Sequence, residues 1–486
     1  MDKQPVYITT AIAYANANPH LGHAFEFIQT DALARQYRAL GHPVWFVTGM
    51  DEHGTKIAKA AADAGMETQR FVDVITDKFR SLDESLHVSP DDFVRTTSDS
   101  HQRAAKKFWQ ASMNNGDIYK KQYIGLYCVG CETFYLEKDL DNGKCPIHLN
   151  EPITVEEENY FFRLSKYQKE LEKFFNEHPD FIIPTGRQNE MKQLLKEGLE
   201  DISISRSVKQ LSWGVPVPDD PNQVMYVWFD ALTNYISIIG YDETGDRDPM
   251  AFGQWWGKET KIIHCIGKDI IRFHALLWPA MLMSVGLRLP DQLFVHGFLL
   301  CDGHKMSKSL GNTIDPVDLI ARYGADGARY VLLREVPATE DADLTWKKMD
   351  ERHTADLANG LGNLLGRVTT LAEQHGFVDV DRASEWQQTK KEVEKLTISC
   401  QFHLALQRLW EEIAKANQMI DHVAPWKLVK EDKEAGRKFL GELVGDLRQL
   451  AEVLHPFMPE TADKIKQAVG GERIAKAAIL FPRISS

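Results

Sequence analysis

A parallel α/β domain, interrupted by an inserted segment and followed by an all-helical region, is the fold class that the sequence predicts. Three observations carry it. Strand-like and helix-like runs alternate at the start: Val6-Tyr7-Ile8, a helix after His23 from Phe25 to Leu40, Val44-Trp45-Phe46-Val47-Thr48, and a helix from about Thr55. That β-α-β-α order predicts a Rossmann-like sheet whose ligands sit beyond the carboxyl ends of the strands. From about Gly116 to Pro218 aromatic and turn residues replace the alternation, which resumes at Met225-Tyr226-Val227-Trp228-Phe229-Asp230-Ala231. The middle is therefore an insertion. After Lys305 the chain reads as helical to its end. Apolar residues recur at helical period over Thr354 to Gln374, Thr389 to Gln418 and Ala435 to Leu454, with breaks near Gly376, Pro425 and Pro456 to Pro459. The expected division is 1–115 and 221–300 for the two halves of the sheet domain, 116–220 for the insertion, 301–350 for a connecting region and 351–486 for the helical domain.

Composition narrows the class. At 486 residues, 43% apolar and 26% charged, the chain has the balance of a soluble globular protein of two to four compact units. Met1-Asp2-Lys3-Gln4-Pro5 offers no basic segment leading into an apolar run, and no stretch approaches 18 apolar residues, so a cytoplasmic protein is expected. The net charge of −13 argues against non-specific nucleic-acid binding. From Glu351 onward 19 basic residues face 20 acidic ones, a net of −1, leaving −12 in the first 350 residues. The helical region is thus the part more welcoming to phosphate.

Six cysteines include Cys128-Val129-Gly130-Cys131, with Cys145-Pro146-Ile147-His148 following after thirteen residues. Without an export signal this spacing points to metal rather than disulfide. Three thiolates and one imidazole surround Zn²⁺ tetrahedrally, and Gly130, Gly143 and Pro146 suit the turns that aim them. A closed Cys₃His set leaves no coordination position for substrate, so the zinc is expected to be structural.

Two polar motifs remain. His20-Leu21-Gly22-His23 lies between the strand Tyr7-Ile8-Thr9-Thr10 and the first helix, where two imidazoles at a helix start face an anion. Lys305-Met306-Ser307-Lys308-Ser309, followed by Leu310-Gly311-Asn312, places two ammonium groups three residues apart, suited to closing over a polyphosphate of growing charge. A lysine-rich pentapeptide by itself is usually a solvated loop. No G-x-G-x-x-G occurs, so no dinucleotide site is expected.

Together, the early strand–His-x-Gly-His–helix and the late Lys-Met-Ser-Lys-Ser resemble the class I aminoacyl-tRNA synthetases. Residues around both motifs narrow the resemblance to the methionine-specific branch with a single zinc knuckle, over nearly the whole chain. The resemblance implies that methionine and ATP give methionyl-adenylate and pyrophosphate, and that the methionyl group then passes to the terminal adenosine of tRNA(Met), initiator included. It implies His20, His23, Lys305 and Lys308 as catalytic residues. Gly22, Gly267, Asp269 and Ser307 join them around ATP, with Mg²⁺ supplied by the nucleotide. It makes 301–350 a contact region for the tRNA stem.

A methionine site needs a carboxylate for the ammonium and a soft cavity for the thioether, because sulfur contacts aromatic edges favourably. Trp228, Ala231, Leu232 and Tyr235 have the spacing of one helix face, as do Ile270, His274 and Trp278. Either stripe alone is more often core packing. The resemblance carries both into the amino-acid pocket, with Ile12, Tyr14 and, as the ammonium's partner, Asp51. Ala11, Ala13 and Leu232 depart from the proline that many relatives carry at one of these places, which removes no chemical group.

Asn363 and Arg367 share a helix face, and Trp426 offers a stacking plane for an unstacked base. An ordinary bundle explains them too, but the resemblance implies that they read the anticodon. Without an appended dimerising module a monomer is expected. The rivals are another class I synthetase, a small-molecule adenylating ligase and a non-catalytic RNA-binding paralogue, the last opposed by the intact His20, His23, Lys305 and Lys308. The first would carry a large editing insertion or an open metal, and the second would not need the helical domain.

Overall fold

A computed structural model describes residues 3–130, 133–135, 137–147, 149–242, 249–301, 303–305 and 314–484. The chain divides into two compact units, one of residues 1–18, 43–80 and 90–295 and one of residues 19–42, 81–89 and 296–486.

The first unit is built on a seven-stranded sheet. Its order is Ala13–Tyr14, Val44–Asp51, Val6–Thr10, Lys261–Gly267, Gln292–His296 and Ile182–Ile183, with Asp92–Arg95 also pairing Val44–Asp51. Val6–Thr10 runs parallel to both its neighbours, with Val6 opposite Lys261 on one side and Val44 on the other. All five of its residues are buried, as a strand covered on both faces requires. Thr10, Asp51 and Gly267 mark the carboxyl ends at which sequence reasoning placed ligands. The expected Rossmann-like α/β class is therefore observed.

The inserted segment contributes a four-stranded antiparallel sheet in the order Thr133–Tyr135, Ile118–Cys128, Ile153–Phe162, Ile202–Ser203. A second small sheet joins Ser205–Ser207, Asp220–Met225 and Pro216–Val217. Trp109 and Phe162 pack on Phe229, which fastens the insertion to the resumed α/β segment.

The second unit is helical, and it includes the helix Leu21–Ala39. A buried ion pair anchors that helix. Arg329, fully buried, lies 2.7 Å from Asp31 Oδ2 and donates to the carbonyls of Leu86, Pro456 and Phe457. Asp31 Oδ1 also accepts from the backbone N–H and hydroxyl of Ser89. A pair so deep is tolerated only because its lone pairs and protons are matched.

Four sequence expectations are corrected. The first helix begins at Leu21, not Phe25, because the two histidines cap it. The run from Lys305 is not wholly helical, since Ala342–Asp343 is a strand beside Leu299–Cys301. The segment Thr389–Gln418 is two helices, Ala383–Ile398 and Phe402–Val423, parted at Cys400, whose φ is 57°. The run from Thr354 opens as a π-helix, His353–Gly362, before the α-helix Asn363–His375.

Candidate functional site

The His20 motif is a capping device. The His20 side chain accepts from the Gly22 backbone N–H at 3.1 Å, and His23 Nδ1 accepts from the His20 N–H at 3.2 Å. This is the reciprocal box usually made by Ser and Glu, built here from imidazoles. With each Nδ1 an acceptor, each ring carries its proton on Nε2. The rings stack at 3.7 Å. Burial first, then the charges of His20 and His296, hold His23 well below the usual imidazole range, so it is neutral at pH 7. A Cβ at Gly22 would stand 2.9 Å from the His20 ring, so glycine permits the box.

Among the other residues expected around ATP, Gly267 closes the strand Lys261–Gly267 and is buried, and Asp269, two residues on, is exposed in a 3₁₀ turn. Lys305 lies in a two-residue strand paired with Leu300. Ser307 and Lys308 lie outside the described residues.

The expected methionine residues gather in the first unit as an aromatic cluster. Trp228 stacks on Phe273 with centroids 3.9 Å apart and planes 7° apart, and meets Tyr14 edge-on at 6.3 Å and His274 edge-on at 6.1 Å. The Tyr235 hydroxyl lies 2.7 Å from His274 Nε2. His274 Nδ1 lies 3.0 Å from the Ile270 carbonyl, which can only accept. The proton is therefore on Nδ1, and Tyr235 donates to Nε2. Burial lowers His274 to about 4, the Ile270 bond opposing it, and fixes the neutral ring. Ala231 and Leu232 are buried, and Ile12 is half-buried. Tyr14 pairs in register with Asp51, whose carbonyl accepts from Ala15 and whose carboxylate accepts from the His53 backbone N–H at 3.3 Å.

Neither stripe is a single helix face. Val227–Leu232 stops at Thr233, whose N–H and hydroxyl both bond the Asp230 carbonyl, and a fresh turn, Asn234–Ser237, carries Tyr235. Ile270 to Trp278 passes through a 3₁₀ turn and the π-turn Phe273–Leu277, which alters the side-chain phase. Trp278 is 0% exposed and lies against Phe108, Tyr235 and Trp256, supporting the cluster from behind. Sequence reasoning missed Phe273 and His264. His264 stacks on Tyr235 at 4.1 Å and bonds Thr9 at 2.8 Å. A lone histidine in the apolar strand Ile262–Ile266 was a signal for it; Phe273 gave none.

Cys128 ends the long strand of the insertion, and Cys145 sits in a tight loop where Leu149 N–H bonds the Cys145 carbonyl and Cys145 N–H bonds that of Asn150. Both thiols are buried, at 3% and 0%. Cys131 and His148 lie outside the described residues, among which no group of three or more metal-ligating side chains occurs. Two enclosed soft donors, with Gly143 at φ 79° in the turn between them, fit a thiolate-bound ion.

In the second unit, Asn363 and Arg367 form two rungs with the neighbouring helix. Asn363 Nδ2 is 3.4 Å from Asn417, and Arg367 Nη2 is 2.5 Å from Asp421. Left-handed Ala424 and Pro425 end one helix and begin the next, leaving the Trp426 ring 39% exposed.

A family profile described as tRNA synthetases class I (M) matches residues 6–151 and 135–369. The methionine–tRNA ligase of Caldanaerobacter subterraneus subsp. tengcongensis is 41% identical, over 99% of this chain and 79% of the relative. That of Thermotoga maritima is 43% identical, over 96% and 75%. Among solved structures, Mycobacterium tuberculosis methionyl-tRNA synthetase in complex with methionyl-adenylate matches with a TM-score of 0.90 at 40% identity, covering 99% of this chain and 100% of the other. Its apo form matches at 0.83 and 36%, covering 100% and 99%.

Proposed function

The chain belongs to the methionine-specific class I tRNA synthetases, and on that footing we propose which of its residues do the work. It is an aminoacyl-tRNA ligase that activates methionine with ATP. The substrate's carboxylate attacks the α-phosphorus, the bond to the bridging oxygen breaks, and pyrophosphate leaves. No side chain need be a nucleophile. The protein aligns the reactants and stabilises charge moving onto the leaving group.

His20 and His23 donate from Nε2 to phosphate oxygens, a role supported by the capping geometry that turns both Nδ1 atoms inward. Lys305 and Lys308 close over the pyrophosphate, with Ser307 between them, and Asp269 holds the ribose beside Gly267. Mg²⁺ arrives with ATP and neutralises phosphate charge. Asp51 takes the ammonium, and Ile12, Tyr14, Trp228, Ala231, Leu232, Tyr235, Ile270 and His274 take the side chain, with Trp278 behind them.

The observation that carries the methionine assignment is a neutral, internally bonded Tyr235–His274 pair whose imidazole meets Trp228 edge-on, Trp228 in turn stacking on Phe273 and meeting Tyr14. Such a site presents ring edges and faces to sulfur and has no charge to desolvate. The terminal adenosine of tRNA(Met) is the acceptor, through its 2′-hydroxyl, and Asn363, Arg367 and Trp426 read the anticodon. The exposure of Trp426 supports that role over core packing.

One Zn²⁺ bound by Cys128, Cys131, Cys145 and His148 would brace the insertion and take no part in the chemistry. The domain limits 1–115, 116–220, 221–300, 301–350 and 351–486 are proposed as functional boundaries within the two compact units. No helix among the described residues is long and apolar enough to cross a membrane, and a cytoplasmic monomer is proposed. Amino-acid-dependent ATP–pyrophosphate exchange, run with each of the twenty amino acids and no tRNA, tests the activation step and the methionine pocket. Exchange with methionine alone is expected; exchange with another amino acid instead would overturn the pocket.

A further inference from the structure

Beneath the proposed ammonium site runs a buried polar chain that no step of activation uses. His53 Nδ1 lies 2.7 Å from Asp230 Oδ2, His101 Nε2 lies 2.8 Å from Asp230 Oδ1, and His101 Nδ1 lies 2.9 Å from Ser237 Oγ. All four residues are buried, Asp230 at 1% exposure. One carboxylate thus meets an imidazole nitrogen on each oxygen, with no lysine or arginine at either among the described residues. Burial pushes its pKa up, but attraction to His53 and the hydrogen bonds from His101 and His53 outweigh that and hold it at about 2. Ionised at neutral pH, Asp230 fixes a proton on His53 Nδ1 and another on His101 Nε2.

The placement of this chain is informative. Asp230 sits between Trp228 and Ala231 in the helix Val227–Leu232, whereas His53 follows Asp51 by two residues, at the end of a strand. The His53–Asp230 bond therefore joins, across 177 residues of sequence, the turn carrying the ammonium's carboxylate to the helix carrying the thioether's wall. The intervening residue is fastened independently. Glu52, 0% exposed, accepts from Thr76 and from Arg95, each at 2.7 Å, and from the Thr97 hydroxyl. Its N–H bonds Thr96 Oγ1 and its carbonyl accepts from Trp213 Nε1. Asp51 is thus followed by two anchored residues, Glu52 tied to Thr76, Arg95 and Thr97 and His53 tied to the pocket helix.

We propose that Asp230, acting through His53, is a positioning residue for the ammonium subsite, setting the Asp51 carboxylate at a fixed place relative to the thioether pocket. This rests on Asp51 being the ammonium's partner. A substrate read at both ends gains from having its two subsites held at one separation, because misplacement weakens the charged contact more steeply than the apolar one.

The test compares two ligands on the full chain by calorimetric titration. Methioninol keeps the ammonium and thioether but lacks the carboxylate; 4-(methylthio)butanoate keeps the thioether and carboxylate but lacks the ammonium. Asp230→Asn preserves shape but turns an NH₂ toward one imidazole N–H. It is expected to weaken methioninol about tenfold, the worth of one charge-assisted hydrogen bond, and to leave the desamino acid within about twofold. His53→Leu should behave alike, which keeps the test intact if one variant misfolds. His53→Gln, whose amide N–H can still reach Asp230, should regain most of the loss. Equal weakening of both ligands, as a general packing defect would give, overturns the proposal, as does no weakening of either. Asp51→Asn is the control: if it too spares methioninol, the ammonium assignment itself is wrong, whereas loss there with none in Asp230→Asn rejects the positioning role alone.

Discussion

Tyr235→Phe probes the methionine cluster by removing one oxygen atom. In the folded protein the Tyr235 hydroxyl donates to His274 Nε2 at 2.7 Å, and the other ring nitrogen is committed to the Ile270 carbonyl at 3.0 Å. His274 is 2% exposed, so no water replaces the lost donor without the site opening. A buried acceptor stripped of its partner costs roughly 1–3 kcal/mol. At about 2–4 °C per kcal/mol for a unit of this size, Tm should fall by a few degrees to about 10 °C. The phenyl ring keeps its stack on His264, so the loss isolates the hydroxyl. Since the Tyr235–His274 pair lines the proposed thioether pocket, the KM for methionine in ATP–pyrophosphate exchange should rise about 5- to 100-fold, with kcat changing less. Combined with His274→Ala, a double-mutant cycle should give a coupling of about 0.5–3 kcal/mol. Unchanged Tm and KM, or additive effects in the cycle, would refute the view that this bond holds the imidazole in place.

Three further outcomes are expected. Trp426→Ala should lower kcat/KM for tRNA charging about 5- to 150-fold, the worth of one stacked base, while tRNA-independent exchange stays intact; if both activities fall together, the ring supports the fold instead. Lys308→Ala should slow adenylate formation about 10²- to 10³-fold with methionine affinity unchanged, and a raised methionine Kd with normal turnover would contradict the assignment. Stability should fall on acidification, because His274 drops from its ordinary 6.5 to about 4 in the folded state and His264 moves the same way, burial being the main cause in each. Between those pH values the unfolded chain takes up protons that the folded chain refuses, so stability is full above about pH 6.5 and lost as pH falls toward about 4. His274 alone accounts for roughly 3 kcal/mol of this. Urea unfolding from pH 7.5 to 4.5 measures it, and His274→Gln should flatten the curve.

What could be recognised from the sequence follows from how locally each feature is determined. The His20 box was visible because its hydrogen bonds span only two and three residues; only its capping role was missed, and with it the true helix start at Leu21. The parallel sheet was visible because a strand buried on both faces needs an apolar run such as Val6–Thr10. The rung of Asn363 and Arg367 survived because the π-helical turn ends at Gly362, just before it. By contrast, the stripe from Ile270 to Trp278 failed as a face because a π-turn widens the spacing, and no propensity marks where five residues will share one turn. The Trp228–Phe273 stack and the His53–Asp230–His101 chain were invisible for a different reason: each joins segments far apart in the chain whose residues obey ordinary local rules. A buried aspartate in a short helix looks like any helix aspartate until the histidines that ionise it are brought alongside. On the proposed assignment it is a contact of this kind, His53 to Asp230, that places Asp51 against the pocket helix, and such a contact leaves no local pattern to read.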